Sequence, residues 1–373
     1  MKKIILNLTT LFFVLLNFTI IFAGGFQQSG EYYRYFEDDG TVAYDKIIEL
    51  DMKKYYVNQD GYVVFKSWVN KDDKYYYAGN DGAFFDEGIH AIDKYKYYFN
   101  TECELQKGWC NNYLYYGDPT DGYLLTGFQE LDIPKDFVRD DYAENNAWFY
   151  FDTSNCERMY ATDDEYVVKY IGTSKYCFDQ NGVVRTGWRR IKDTTPVMKG
   201  YMYFVEETTD KFKYGEAVNN TWYSIEPPAG IIPNGNVKYF YFNGQGQPRC
   251  AQEGRLMKVR LAEKTYLFNE YGYAMYGVKQ IDNDYYYFGP NAENCSMKTG
   301  YFGQCIDGSG DGASFYFQED GKGYTGVYNN KLYYKGKLQK ADSEQKYAAI
   351  KCDNIIRLVN TQGVVMKNKH KSD

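Results

Sequence analysis

The sequence predicts an all-β protein, an elongated solenoid of stacked tandem β-hairpin repeats of about 20 residues each. Three observations carry that reading. A cluster of two or three aromatic residues, then a few polar residues, then glycine, recurs along the chain. The glycines that close these clusters fall on a regular grid. The composition is polar and aromatic at once, with 43 Tyr and 24 Phe in 373 residues and a mean hydropathy of −0.62. Disorder goes with few aromatics, and so polar a chain does not fill one large apolar core. Its rings are expected to be buried in small local packets, each repeat covering the next.

The first 25 residues stand apart. Lys2 and Lys3 precede a mostly apolar stretch, Ile4 to Phe22, and Ala23, Gly24 and Gly25 supply the small residues a peptidase needs. Residues 1–25 are expected to be a cleaved secretory signal peptide. The alternative is an uncleaved anchor, since the stretch nearly reaches the roughly 20 residues of a spanning helix. No later segment is long and apolar enough to span a membrane.

From residue 26 to 373 the chain reads as one array. Arg34 to Gly40 is the first copy, followed by Tyr55-Tyr56-Val57-Asn58-Gln59-Asp60-Gly61 and Tyr76-Tyr77-Ala78-Gly79-Asn80-Asp81-Gly82. Tyr176 to Gly182, Phe240 to Gly246, Tyr266 to Gly272 and Phe315 to Gly321 repeat it, and Arg357 to Gly363 is a decayed last copy. Gly40, Gly61 and Gly82 are 21 residues apart, and Gly82, Gly122 and Gly182 lie near multiples of 20. Clusters without the glycine, such as Tyr97-Tyr98-Phe99-Asn100 and Phe149-Tyr150-Phe151-Asp152, bring the count to 13 or 14 units.

Each unit reads as a hairpin. Tyr and Phe favour strands, and Asn-Gln-Asp-Gly is turn chemistry, where Gly or Asn takes positive φ. The expected second strand closes with Thr-Gly-aromatic, as in Thr126-Gly127-Phe128, Thr186-Gly187-Trp188 and Thr299-Gly300-Tyr301; Trp68 and Trp109 hold the same slot. A connector then leads to the next aromatic cluster. One such hairpin is marginal in water, so order is expected only in the array. Two stretches fit the period poorly: acidic 131–147, and 205–236 with Pro227, Pro228 and Pro233, which bar a central strand there. Each is either a unit with an enlarged loop or a break in the array.

The unit, from its aromatic cluster and turn to Thr-Gly-Trp, resembles the cell-wall-binding repeat of the choline-binding and glucan-binding families and is similar to clostridial toxin C-terminal repeats. The resemblance covers the chain from about Phe26 onward. The start Gln27-Gln28-Ser29-Gly30-Glu31-Tyr32-Tyr33-Arg34-Tyr35 looks like the way such arrays begin in secreted Firmicutes proteins. It implies a non-catalytic module on the cell surface that attaches non-covalently to teichoic-acid choline or to glycan. Choline sites in that family are aromatic cages completed by Trp, and this chain has only five: Trp68, Trp109, Trp148, Trp188 and Trp222. Phe128, Tyr301, Val278 and Val327 stand at other closing slots, which leans the expectation towards carbohydrate or protein ligands.

The candidate ligand contacts are aromatics at the junctions between units: Trp68 with Tyr76 and Tyr77, Trp109 with Tyr115 and Tyr116, Trp188 with Tyr201 and Tyr203, and also Phe128 and Tyr301. A ring cage attracts a quaternary ammonium, and a flat platform stacks on a sugar face. The plain alternative is that the rings only seal one hairpin on the next, since half the side chains of a strand face inward. Tyr-rich faces also suit a structural or adhesive protein that contacts host or partner proteins.

Other classes fare worse. The net charge of −7 and the absence of a basic cluster disfavour nucleic acid, and Lys367, Lys369, His370 and Lys371 read as a solvated tail. His90 is isolated, so no nucleophile–base arrangement can be drawn. It reads as a surface hairpin residue. The carboxylate pairs Asp38-Asp39, Asp72-Asp73 and Asp163-Asp164 read as turn residues. An enzyme hidden in 131–147 or 205–236 is the remaining catalytic alternative. No cofactor or metal is expected; the Asp307-Gly308-Ser309-Gly310-Asp311-Gly312 turn has oxygens for calcium but not the later Glu of an EF-hand. The eight cysteines include no Cys-x-x-Cys to hold zinc. In a secreted chain they permit disulfides whose pairing the sequence leaves open, Cys103–Cys110 and Cys295–Cys305 being the sequence-local candidates.

Overall fold

A computed structural model describes residues 24–137, 142, 145–231, 236–306 and 312–367. The stretch read as a signal peptide up to residue 23, residues 307–311 of the Asp-rich turn, Pro233 and the tail beyond Lys367 lie outside them. Among the described residues are 30 strands and two short 3₁₀ turns, Val197–Gly200 and Ala292–Asn294, and no helix there is long and apolar enough to cross a membrane. The protein is all-β. Its strands form 14 antiparallel hairpins, six in the compact unit Met1–Met159 and eight in the unit Tyr160–Asp373.

The hairpins close at a different turn from the one the sequence suggested. Lys46–Leu50 pairs with Lys53–Val57, and Ser67–Lys71 with Lys74–Ala78. The loop in each case is two residues of the connector: Asp51-Met52 with φ of 51° and 62°, and Asp72-Asp73 with 54° and 61°. Two successive positive φ values make the tight turn whose twist matches that of the strands, and Asp tolerates that conformation. The Asp72-Asp73 carboxylates therefore sit in the hairpin loop itself.

The Asn-Gln-Asp-Gly turn has another task. The Asn58 side-chain oxygen accepts from the N–H groups of Asp60 and Tyr62 at 3.0 and 2.9 Å, and the chain then lays down two residues that bond in opposite directions. Val63 N–H donates to the Tyr33 carbonyl of the preceding hairpin at 2.8 Å, and Val64 N–H to Tyr56 of its own at 2.9 Å. The same stitch recurs with Phe84 to Lys54 and Phe85 to Tyr77, Leu105 to Tyr75 and Gln106 to Tyr98, and Ala274 to Tyr239 and Met275 to Leu267. At Pro248, which has no N–H, only the bond from Arg249 to its own hairpin at Tyr241 forms. The stitch gives each two-stranded unit the backbone partners it lacks alone.

The residue two places before the stitch packs on the preceding repeat. Gly82 has φ of 80°, and a Cβ there would stand 2.9 Å from the Phe65 ring. Cys103 and Cys156 take this place in two units, with φ of 65° and 66°. Gly82→Ala is expected to cost about 1–2 kcal/mol for the left-handed backbone and about 1 kcal/mol or more for the forced ring shift. Gly30→Ala, with φ of 68° and open space around it, pays the backbone cost alone. Thermal melting of the two variants separates the contributions, and equal melting temperatures would show that Phe65 yields freely.

The core is a set of small clusters that the repeat generates. The last residue of the aromatic strand is sealed in unit after unit: Val57, Ala78, Phe99, Phe151, Phe204, Phe242, Phe268 and Phe317 are at most 1% exposed. Opposite several of them stands the glycine of the closing motif, as in Gly88 against Phe99, Gly127 against Phe151 and Gly187 against Phe204. The pairing explains why glycine precedes the aromatic at that slot.

Paired strands flank or enter both irregular stretches. In 131–147 the strands Gly127–Asp132 and Asn146–Phe151 run into both ends and pair as a single hairpin. In 205–236 the strand Thr221–Ile225 pairs with Lys238–Phe242, and Pro227 and Pro228 follow it in the loop. Two further strands extend the hairpins: Val184–Arg185 joins Ser174–Asp179, and Lys337–Leu338 links the hairpins of Gly300–Phe317 and Gly326–Tyr334 into a five-stranded sheet.

The two disulfides suggested by spacing do not form. All eight cysteines are thiols. Cys103 reaches back to pack with Val69, Tyr76 and Phe84, while Cys110 packs with Tyr98, Tyr115 and Cys156. Cys295 joins Phe268 and Ala274, and Cys305 joins Val278, Tyr287 and Phe315. Neighbours in sequence thus serve different packets, because the turn residue faces the preceding hairpin. Burial pushes the Cys110 and Cys177 thiols up to about 12.

Candidate functional site

Strand alternation decides which ring faces which packet. Trp68 lies directly opposite Tyr77, Trp109 opposite Tyr116, Trp188 opposite Tyr203 and Trp222 opposite Tyr241. Each indole meets that tyrosine edge-on or nearly so, with centroids 5.1–5.4 Å apart. Each also reaches two alternate rings on the next hairpin. For Trp68 these are Tyr97 at 5.0 Å and Phe99 at 6.1 Å; for Trp109, Phe149 and Phe151; for Trp188, Phe240 and Phe242; for Trp222, Tyr266 and Phe268. A tryptophan thus clasps two hairpins in the same way four times.

The other rings singled out in the sequence are distributed differently. Tyr76 turns to the opposite face and stacks on Phe84 at 4.6 Å. Tyr115 does the same against Tyr98. Both are buried seals between hairpins. Tyr201 lies 6.4 Å from Trp188 on the same face as Tyr203. Phe128 meets Tyr150 across its hairpin at 4.9 Å. Tyr301 opposes Tyr316, is 53% exposed and has the Lys331 ammonium 6.0 Å from its ring. His90, expected at the surface, is instead half-buried: it stacks on Phe85 at 4.3 Å, with its ring nitrogen 3.0 Å from the Asp86 carbonyl.

The four clasps differ in what they leave open. The Trp109 indole donates to the Asp132 carbonyl and carries Phe137 and the Arg158 guanidinium near its ring. The Trp188 indole donates to the Glu226 carbonyl, and Trp222 is covered by Tyr239, stacked at 4.7 Å and 9°. Trp68 is 38% exposed, and its N–H has no partner among the described residues. It forms one wall of a groove of about 370 Å³ with Tyr75, Tyr95, Tyr97 and Tyr123, while Lys107 and Asp121 supply polar groups. Tyr95 and Tyr123 stack at 4.8 Å. The Lys107 ammonium stands 4.7 Å over the Tyr75 ring and donates to the Thr120 carbonyl. Burial holds the Tyr97 phenol protonated to higher pH than usual.

Tyr95, Tyr97, Tyr123 and Lys107 were missed in the sequence because they belong to later repeats than Trp68. The signal was present in the period: the ring facing a tryptophan is an alternate member of the next aromatic cluster.

Fold and site together define a tandem aromatic-hairpin repeat protein, and the solved structures it resembles include choline-binding proteins and a modular autolysin. The chain is similar to choline binding protein F from Streptococcus pneumoniae, solved in the presence of a peptidoglycan analogue, at 18% identity over 81% of this chain and 93% of that one, with a TM-score of 0.42. It is also similar to CbpJ from Streptococcus pneumoniae TIGR4, at 18% identity, 80% and 99% coverage and a TM-score of 0.35. A third likeness is to the modular autolysin LytC from Streptococcus pneumoniae, at 17% identity, 74% and 52% coverage and a TM-score of 0.23. No protein-family model and no curated protein matches the sequence.

Proposed function

We propose that this chain is a secreted, non-catalytic binding protein that attaches to bacterial cell wall or extracellular glycan by laying sugar rings in open aromatic grooves between repeats. The Trp68 groove carries this reading. It offers an exposed indole face with an unused N–H, four further tyrosines, and one cation and one carboxylate at its rim. Aromatic walls with a few placed polar groups are the general form of a small-ligand site. Lys107 also favours sugar over choline here. Its ammonium already occupies the Tyr75 face, so a quaternary ammonium entering the groove meets a like charge where a ring cage needs an open face.

The mature protein should be retained on purified cell walls or on immobilised glycan, with soluble glycan competing and choline competing poorly. Truncating a tryptophan at the centre of an interface costs about 2 kcal/mol, so Trp68→Ala should weaken retention roughly 30-fold. Tyr170→Ala, at a ring 63% exposed and outside the groove, should leave retention unchanged. Unaltered affinity in Trp68→Ala would remove the groove from the site, and absence of retention on any polymer would remove the reading.

A further inference from the structure

We infer that a second groove, in the unit Tyr160–Asp373, binds an acidic saccharide through Lys279, a site distinct in place and chemistry from the Trp68 groove. The groove encloses about 690 Å³ and is lined by Lys238 and Tyr239 from one hairpin, Tyr273 and Tyr276 from the post-turn segment of the next, Lys279 at the start of the following hairpin, and Glu293.

Lys279 is the decisive residue. It is half-buried, and its ammonium has neither a hydrogen bond nor an ion pair among the described residues. Removing an ammonium from water without a partner is costly, and burial lowers the proton affinity of this amine. Glu293, the one acid in the lining, therefore does not neutralise it. Lys238, the second cation, lies 5.4 Å over the Tyr273 ring and is not tied to an acid either. Two uncompensated ammonium groups beside tyrosine faces, in a chain of net charge −7, describe a receptor for a sugar that carries an oxyanion. The tyrosines take the sugar ring, and the oxyanion supplies Lys279 with its missing partner.

The oxyanion is a carboxylate or a phosphodiester, and the test separates them. The full chain is titrated calorimetrically with an oligogalacturonate, an oligomer of poly(glycerol phosphate) and a neutral dextran oligosaccharide. One acidic oligomer should bind, with affinity falling as salt is added. Lys279→Gln should weaken that binding at least tenfold, and Lys279→Arg should retain most of it. Trp68→Ala should leave it intact, which keeps this inference testable even if the Trp68 groove binds nothing. Circular dichroism of Lys279→Gln should match the parent, since the change removes an unpaired, half-buried charge. Failure of both acidic oligomers to bind, or equal affinity in Lys279→Gln, would overturn the assignment.

Discussion

Replacing Phe99 by alanine is expected to destabilise the first unit by about 3–5 kcal/mol, the usual cost of emptying a fully buried phenylalanine site. Phe99 is 0% exposed and packs against both its own repeat and the preceding one. Its ring lies 5.9 Å from Phe85, 5.9 Å from His90 and 6.1 Å from Trp68, and its backbone bridges to Leu105 after the turn. A cavity there cannot be refilled by a rotamer change, because each neighbour is held in its own stitched hairpin. Stability in repeat arrays is set by units and their interfaces. The loss should therefore appear as an earlier transition of the hairpins around Phe99 in chemical denaturation, reported by Trp68 fluorescence, with later hairpins melting as before. A loss under 1 kcal/mol would mean that the packets are far looser than their burial indicates.

Raising the pH through the phenol range is expected to unfold the protein cooperatively. Burial, then a 2.6 Å hydrogen bond to Asp45, pushes the Tyr56 phenol up to about 12. Burial, then Glu165, does the same for Tyr166. Tyr203 goes higher still, through burial and then Glu206. A free phenol titrates near 10. The folded state therefore holds these protons more tightly than the unfolded chain, and linkage gives the sign. The stabilisation is complete below about pH 10 and is lost as the pH rises through about 12. The Cys110 and Cys177 thiols act in the same direction. Phenolate absorbance is followed together with far-UV circular dichroism as the pH is raised. A steep joint rise of phenolate and loss of β signal should follow. Smooth titration of all tyrosines near pH 10 with an unchanged β signal would contradict the burial.

The repeat was legible because it is written in residue types with few alternatives. Aromatic pairs separated from a glycine by Asn or Asp admit strand, then turn, and little else. The count of 13 or 14 units meets 14 hairpins in the structure. The choice of ladder was not legible. Asp72-Asp73 and Gly79-Asn80-Asp81-Gly82 both read as turns, and only the stitch from Phe84 to the preceding hairpin commits the second turn to joining repeats. Likewise Tyr76 and Tyr77 are equal as letters; a one-residue alternation sends the first into a seal with Phe84 and the second to Trp68. The cysteines show the same limit, since Cys103 and Cys110 are near in sequence but face different packets.

Local chemistry by itself therefore determined that this chain is a β-hairpin array with its aromatic rings at the joints, because turn preference and strand alternation act within a few residues. Which rings close a joint and which stay open to a ligand depended on contacts between successive hairpins. Trp109 and Trp188 are capped by carbonyls and a guanidinium of the next hairpin, Trp222 is covered by Tyr239 of its own hairpin, and Trp68 is left facing a groove. The caps on Trp109 and Trp188 come from the next hairpin, which no single repeat contains.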